Sequence, residues 1–219
     1  MNPELEKITT KCLLFDCDGT LVDSERLGNV GLVIKFKALG IRLDADELTT
    51  RFSGWKMANI LDDLSEEFEI TLADDFVNSY RALVAELFEA ELKPIDGVVQ
   101  ALSQLKQPKA VVSSGPVSKI ELSLRVCGLS HFFGDHIYSA YDINSWKPDP
   151  GLFLFAAKDM GFSAKDCIVI EDSIVGVEAG INAGMKTLFY NPRNEQHDYS
   201  EVTCFKFMSE LGELIPASR

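Results

Sequence analysis

Histidine and cysteine are scarce in this chain, and their arrangement excludes two kinds of site. Only three of the 219 residues are histidine, and only His131 and His136 are close in sequence, with no cysteine or acid to complete a zinc-type cluster. The five cysteines are odd in number, scattered, and form no CxxC pair. We therefore expect free thiols in a reducing cytosol rather than a disulfide framework.

Basic residues and long apolar runs are also in short supply. The chain has 21 Lys and Arg against 34 Asp and Glu, a net charge of -13, which matches DNA, RNA and anionic lipid poorly. No apolar run approaches the roughly 18 residues of a membrane helix, and the polar, acidic N-terminus does not resemble a signal peptide. We expect a cytoplasmic monomer that binds neither nucleic acid nor membrane and acts on a small molecule.

Five short apolar runs predict buried strands. They are nearly continuous in apolarity, which is typical of parallel strands buried on both faces. The runs occupy residues 11–16, 109–114, 136–142, 167–172 and 186–191. Helical patterns separate them at 97–105, 117–126, 151–160 and 174–183. This alternation predicts an α/β fold with a doubly wound, Rossmann-like parallel sheet.

A long gap separates the first predicted strand from the second. Apolar residues in this gap recur at spacings of three and four, which favours helices. The helical patterns span residues 24–40, 44–52, 57–68 and 72–92. We predict an inserted all-helical domain at 25–92, with 1–24 and 93–219 forming the α/β core.

Polar residues follow the predicted strands, and ligands of doubly wound sheets bind at this edge. The residues expected to converge there are Asp16, Asp18, Ser113, Ser114, Gly115, Lys147, Glu171 and Asp172. Four unpaired carboxylates would repel one another, and Lys147 alone cannot balance them. Mg²⁺ prefers oxygen ligands and bridges carboxylates to phosphate, so Mg²⁺ is the predicted cofactor.

The same residues suit phosphoryl transfer. A carboxylate such as Asp16 can attack phosphorus and form an acyl phosphate. Asp18 could protonate the leaving alcohol and then activate water. Ser113 and the backbone amides after it precede a predicted helix, and helix N-termini bind anions. The sequence therefore predicts a phosphate site beside the acids.

Four segments, "DCDGT", "VVSSG", "KPDP" and "IEDS", resemble in this order the motifs of the haloacid dehalogenase superfamily. The resemblance extends over essentially the whole chain. It is nearest to the capped sugar-phosphate phosphatases and β-phosphoglucomutases, including 6-phosphogluconate phosphatase-like members. It implies that the predicted helical insertion is the helical cap of this superfamily.

The resemblance also implies roles for the matching residues. Asp16 would be the nucleophile and a metal ligand, and Asp18 the acid/base, with its backbone carbonyl also on the metal. Asp172 would bind the metal, and Glu171 would either bind it or lie behind the ligands. Ser113 and Lys147 would bind the phosphoryl group. The predicted phosphate-binding set is Ser113, Ser114, Gly115 and Lys147.

We therefore predict a Mg²⁺-dependent phosphatase that hydrolyses a small phosphorylated metabolite, a sugar or sugar-acid phosphate such as 6-phosphogluconate, through an aspartyl phosphate. A β-phosphoglucomutase-type mutase is the nearest alternative. Those mutases have a cap histidine where this chain has Gly28, and an arginine where it has Met57. Dehalogenases and phosphonate-cleaving relatives lack an acid at the position of Asp18. These differences favour phosphate hydrolysis.

A non-catalytic protein is the alternative of another class. Receiver domains also accept phosphate on a strand-end aspartate with Mg²⁺, but they are much shorter and have no helical insertion after the first strand. A catalytically silent binding module would have no need of Asp18. Both alternatives stay open at the level of the sequence.

Two residues of the predicted cap are candidates for substrate specificity. Trp55 and Lys56 lie in the "SGWKM" segment between two predicted helices. Lys56 could meet a second negative group, such as a carboxylate, or a hydroxyl-rich sugar end. The alternative is that Lys56 is an ordinary exposed lysine and Trp55 part of the core.

Overall fold

The computed structural model describes residues 11–52 and 55–215. Its six strands are β1 (Cys12–Phe15), β2 (Lys109–Ser113), β3 (Ile137–Ser139), β4 (Cys167–Glu171), β5 (Lys186–Tyr190) and β6 (Thr203–Phe205). Every residue of β1 and β4 is buried, which explains why both segments are apolar without alternation.

The six strands form one parallel sheet in the order β3-β2-β1-β4-β5-β6. β1 lies at the centre, where Leu14 pairs with Ala110 on one side and with Val169 on the other. The chain order reverses across β1, since β2 and β3 extend one way and β4 to β6 the other. Such a reversal opens a crevice at the carboxyl ends of the central strands. The predicted α/β class and doubly wound parallel sheet are confirmed.

Helices cover both faces of the sheet. The first four helices lie in the long connection that follows β1 and are described below. The helices after that connection are α5 (Val98–Gln104), α6 (Val117–Val126), α7 (Ala140–Ile143), α8 (Gly151–Asp159), α9 (Ile174–Asn182) and α10 (Leu211–Leu214). Leu14 and Val112 face α8, where Phe153 and Ala156 pack against them. Leu13 and Phe15 face the opposite side and join a larger cluster.

Four helices occupy the connection between β1 and α5. They are α1 (Glu25–Ala38), α2 (Ala45–Phe52), α3 (Met57–Glu67) and α4 (Phe76–Glu91). Each buries an apolar stripe at helical spacing, as Leu27, Gly31 and Phe36 show in α1. We call residues 25–92 the helical insertion. Its division from the rest of the chain as a separate cap domain stays a prediction.

The predicted strands and helices all have counterparts, although one predicted strand is shorter than expected and two elements, β6 and α10, were not expected. The run 136–142 is not one strand: β3 ends at Ser139, whose Oγ accepts a hydrogen bond from the amide of Tyr141 and begins α7. β6 is an addition, with only Phe205 buried in its three residues. In the described part of the chain, no helix has the length and apolarity needed to cross a bilayer.

Candidate active site

Asp16 and Lys147 form the centre of the site. Asp16 directly follows β1, and its amide donates to the carbonyl of Ile170 at 2.9 Å, which fixes it to the neighbouring strand. The Nζ of Lys147 lies 2.5 Å from an oxygen of Asp16 and 2.5 Å from an oxygen of Glu171. All three side chains are buried. The fold thus places a cation between two carboxylates at the carboxyl edge of the sheet.

Burial and charge act against each other in this group. Burial raises the pKa of Asp16 above its ordinary range, although the nearby Lys147 opposes the shift. Burial favours the neutral form of Lys147, but the charges of Asp16 and Glu171 outweigh it and raise the pKa of the lysine. The protonation of each of the three groups therefore depends on the charge of the other two.

Glu171 uses both carboxylate oxygens in protein contacts. Oε1 accepts from Lys147, while Oε2 accepts from the amides of Asp172 and Ser173, each at 3.0 Å, and from Oγ of Ser173 at 2.9 Å. A side chain on Gly176 would collide with this carboxylate, since a Cβ there would lie 1.9 Å from Oε1. Glu171 thus fixes the loop between β4 and α9 and holds Lys147.

Asp172 lies at the edge of the acidic group. Its Oδ1 accepts a hydrogen bond from Oγ1 of Thr20 at 2.9 Å. Burial, reinforced by the charges of Asp16 and Glu171, raises the pKa of Asp172 well above its ordinary value. Gly19 has φ +82°, and a Cβ there would lie 2.0 Å from Oδ2 of Asp172. Glycine is therefore required at position 19 for Asp172 to approach β1.

Three of the four predicted metal-binding acids form one cluster. Asp16, Glu171 and Asp172 each offer a carboxylate oxygen, and these oxygens lie within 4.8 Å of one another. A set of closely spaced, mutually repelling carboxylate oxygens has the chemistry that Mg²⁺ prefers, so these residues fit the ion. The carboxylate of Asp18 does not join this cluster.

Asp18 instead pairs with a lysine that no sequence motif identified. Its Oδ1 accepts from the hydroxyl of Ser24 and lies 2.8 Å from Nζ of Lys119, in the first turn of α6. Burial works against ionisation of Asp18, but Lys119 outweighs it, and the pKa of Asp18 is lowered. Lys119 lies within the "SSGPVSK" segment, and its position on the first helical turn is the only sequence signal that could have identified it.

Three of the four predicted phosphate-binding residues line a cavity beside these acids, and the fourth, Gly115, lines a neighbouring one. This acidic cavity, of about 200 Å³, is lined by Asp16, Asp18, Ser113, Ser114, Lys147 and Asp172 among others. Ser113 ends β2 and is buried, and its Oγ accepts from the amide of Gly115 at 3.0 Å. Ser113, Ser114 and Lys147 thus line one cavity together with the acids, and its volume is large enough to hold a phosphoryl group.

A second, wider cavity of about 360 Å³ adjoins the first and shares Asp18, Lys119 and Lys147 with it. Trp55 and Lys56 of the helical insertion line its wall. Trp55 is half exposed with its ring edge on Phe52, so it is not a core residue. Nζ of Lys56 lies 4.8 Å from the ring centre of Trp146. Ser53 and Gly54, just before them, lie outside the described residues.

Gly28 and Met57 bear on the choice between hydrolysis and a mutase reaction. Both residues line the two cavities. The carbonyl of Gly28 accepts a hydrogen bond from the hydroxyl of Tyr80 at 3.2 Å. Position 28 thus presents no acid–base group to the site, and position 57 presents no cation.

Comparison with known proteins defines the class of protein. Residues 10–184 match the haloacid dehalogenase-like hydrolase family. The chain therefore belongs to the haloacid dehalogenase-like hydrolases, and the resemblance inferred from its four motifs is confirmed.

Individual relatives agree with this assignment. The chain is 42% identical over 207 residues to 6-phosphogluconate phosphatase of Escherichia coli K12, a match that covers 93% of this chain and 94% of the relative. The haloacid dehalogenase-like protein ATU0790 of Agrobacterium tumefaciens superposes with a TM-score of 0.80 at 29% identity, covering 94% and 97%. A putative β-phosphoglucomutase from Thermotoga maritima, with a TM-score of 0.76 at 24% identity and coverage of 94% and 98%, shares the fold.

Proposed function

We propose that this protein is a Mg²⁺-dependent phosphatase that hydrolyses a small sugar-acid phosphate such as 6-phosphogluconate through an aspartyl phosphate on Asp16. The observation that supports this most is the joint position of Asp16, Lys147 and the acidic cluster at one cavity. Family membership supports the reaction class, and the similarity to 6-phosphogluconate phosphatase supports the substrate.

In the first step, a carboxylate oxygen of Asp16 forms a bond to phosphorus, and the bond from phosphorus to the ester oxygen breaks. Asp18 enters this step protonated and gives its proton to the leaving oxygen. Because burial is outweighed by Lys119, which lowers the pKa of Asp18, only the minority of molecules in which Asp18 carries a proton reacts. In the second step, the resulting Asp18 carboxylate takes a proton from water, which attacks phosphorus and releases phosphate from Asp16. Lys119 and Ser24 keep the Asp18 carboxylate oriented for this second step.

The remaining polar residues bind and orient the phosphoryl group. Ser113, Ser114 and Lys147 would contact its oxygens at the end of β2 and beside Asp16, with Gly115 at the adjoining cavity. Asp16, Asp172 and the backbone carbonyl of Asp18 would hold Mg²⁺, and the bound ion would supply positive charge to offset the negative charge of the phosphoryl group. Because both oxygens of Glu171 already have protein partners, its proposed role is to hold Lys147 and the Asp172 loop behind the ligands.

The helical insertion, residues 25–92, would act as a cap that excludes water during the reaction. The chain enters and leaves it at one place, which supports this division: the amide of Asp23 donates to the carbonyl of Lys93 at 3.0 Å, and Val22 bridges to Pro94. On this account residues 1–24 and 93–219 form the catalytic core. Trp55 and Lys56 at the cavity wall would contribute to substrate selection.

Phosphate release under matched conditions tests the proposal. Wild-type protein should release phosphate from 6-phosphogluconate with Mg²⁺ and should be inactive in EDTA. The variant Asp16→Asn should be inactive, while the exposed-site control Asp62→Asn should retain wild-type turnover. Full activity in EDTA, or more than a few per cent residual activity in Asp16→Asn, would overturn the mechanism. Conversion of β-glucose 1-phosphate to glucose 6-phosphate without phosphate release would indicate the mutase instead.

A further inference from the structure

Four basic side chains line the wide cavity, and among the described residues only two of them form ion pairs with acids. Lys147 and Lys119 form ion pairs with Asp16 and Asp18 of the reaction site. Lys56 and Arg81 line the same cavity, and within residues 11–52 and 55–215 neither forms an ion pair with an acid. The chain has 34 acidic residues, so the absence of ion pairs at Lys56 and Arg81 in the described part of the chain is not explained by a shortage of acids.

Arg81 is held in place by an aromatic residue of the other part of the chain. It lies on α4 of the helical insertion, and its Nη2 donates to the hydroxyl oxygen of Tyr141 on α7 at 3.2 Å. Its guanidinium carbon lies 5.7 Å from the centre of the Tyr141 ring. A neutral hydroxyl and a ring face orient the guanidinium without neutralising its charge.

The aromatic rings that contact Lys56 and Arg81 also contact each other. The ring of Trp146, which lies under Lys56, contacts the ring of Tyr141 edge-on, with their centres 5.6 Å apart. Both rings come from the segment between β3 and α8, whereas both cations come from the helical insertion. Lys56 and Arg81, neither of them in an ion pair with a described residue, thus line the same cavity as Lys147 and Asp18.

We propose that Arg81, which is oriented by Tyr141, binds the carboxylate of the substrate at the end opposite the phosphoryl group. Lys56 would be a second cation for the same carboxylate. Arginine offers five donors in a planar fork, and the contact with Tyr141 uses one of them, which leaves donors for a bidentate contact with a carboxylate. This inference rests on the proposed phosphatase function and assigns to Arg81 the selection of sugar acids over neutral sugars.

A matched pair of substrates isolates the carboxylate. 6-Phosphogluconate and sorbitol 6-phosphate have the same chain and differ in a carboxylate against a hydroxymethyl group. The quantity to measure is the ratio of kcat/KM for the acid to kcat/KM for the alcohol. Wild-type protein should prefer the acid, and Arg81→Gln should reduce the ratio by about tenfold or more, the range for a charge-assisted hydrogen bond. Arg81→Lys should restore part of it.

Two controls separate recognition from structural damage. Arg26→Gln removes an exposed arginine of the helical insertion that pairs with Asp46 and does not line either cavity, so it should leave the ratio unchanged. Tyr141→Phe removes the hydroxyl that orients Arg81 and should lower the ratio less than Arg81→Gln does. A merely structural effect of Arg81→Gln would reduce both kcat/KM values equally, and that result would overturn the inference.

Binding measurements keep this test independent of turnover. Asp16→Asn protein with Mg²⁺ should bind 6-phosphogluconate more tightly than sorbitol 6-phosphate in calorimetric titrations, and adding Arg81→Gln should remove the difference. Equal binding of the two compounds by Asp16→Asn, or no binding of the acid, would overturn the assignment of Arg81. Failure of phosphate release by the wild type, with this binding difference present, would overturn the proposed reaction alone.

Discussion

The ammonium group of Lys119 lies 2.8 Å from the carboxylate of Asp18, and the pair joins the first turn of α6 to the segment after β1. Asp18 also accepts a hydrogen bond from Ser24, so two donors fix its direction. In the proposed reaction Asp18 moves protons to and from the substrate. Lys119 is therefore placed to orient the acid/base.

Replacing Lys119 with Met should lower kcat/KM by about tenfold to a hundredfold, because a hydrogen bond to a charged group is lost. The measurement is phosphate release under saturating Mg²⁺. Lys158→Met, which changes an exposed lysine of α8, should have no effect.

A double-mutant cycle with Asp18→Asn shows whether Lys119 acts through Asp18. If it does, adding Lys119→Met to Asp18→Asn should cost little beyond the single substitution. An undiminished additional loss would mean that Lys119 acts elsewhere, for example directly on the substrate.

Gly19 and Gly40 provide a matched pair for the second prediction. Both have φ +82°, but a Cβ at Gly19 would meet Asp172 at 2.0 Å, whereas nothing lies within 4 Å of a Cβ at Gly40. Gly40→Ala should lower the free energy of unfolding by about 1–2 kcal/mol through backbone strain alone, and Gly19→Ala should lower it further because its Cβ also displaces Asp172. Only Gly19→Ala should also abolish most of the activity and weaken Mg²⁺ binding. Comparable activity in the two variants would contradict the position assigned to Asp172.

The strands that are buried on both faces could be predicted well from the sequence. β1, β2 and β4 are buried almost throughout, so continuous apolar runs identify them. β6 has three residues with one buried, and such a pattern does not distinguish a strand from a loop. At α7, the run of apolar residues continues past Ser139, and only the cap formed by its side chain decides where the strand ends.

The acids of the site could also be predicted, because they follow strands directly in the sequence. Lys147 could be predicted with them from its place in the segment "KPDP", but the other cationic and aromatic partners could not. Lys119 pairs with an acid that lies 101 residues earlier, and Arg81 with a tyrosine 60 residues later. Only the packing of the helical insertion and of α6 against the sheet edge brings these side chains together.

Lys147 should be essential for stability as well as activity. Lys147→Met would leave Asp16 and Glu171 buried without their shared cation, which should cost about 3–5 kcal/mol in the free energy of unfolding. Urea denaturation in EDTA measures this cost, and Mg²⁺ should recover part of it by binding the acids. Lys165→Met, at an exposed site, should unfold like the wild type. Wild-type stability of Lys147→Met would contradict the charge arrangement at the site.

Lys56→Ala should affect substrates according to their charge. Loss of this cation from the cavity wall should raise KM for 6-phosphogluconate by roughly threefold to fivefold, the size expected of an exposed ion pair, and change KM for p-nitrophenyl phosphate less. Lys37→Ala, an exposed lysine in the last turn of α1, is the control. Equal changes in KM for both substrates would remove Lys56 from the specificity site.

The rate of phosphate release from a panel of phosphate esters with Mg²⁺ tests most directly whether the protein is a sugar-acid phosphatase. The panel comprises 6-phosphogluconate, sorbitol 6-phosphate, fructose 1-phosphate, β-glucose 1-phosphate and p-nitrophenyl phosphate, with Asp16→Asn protein as the blank. We expect the highest kcat/KM for 6-phosphogluconate and no release above the blank in EDTA. No release from any ester, or rates equal to those of Asp16→Asn, would contradict this expectation.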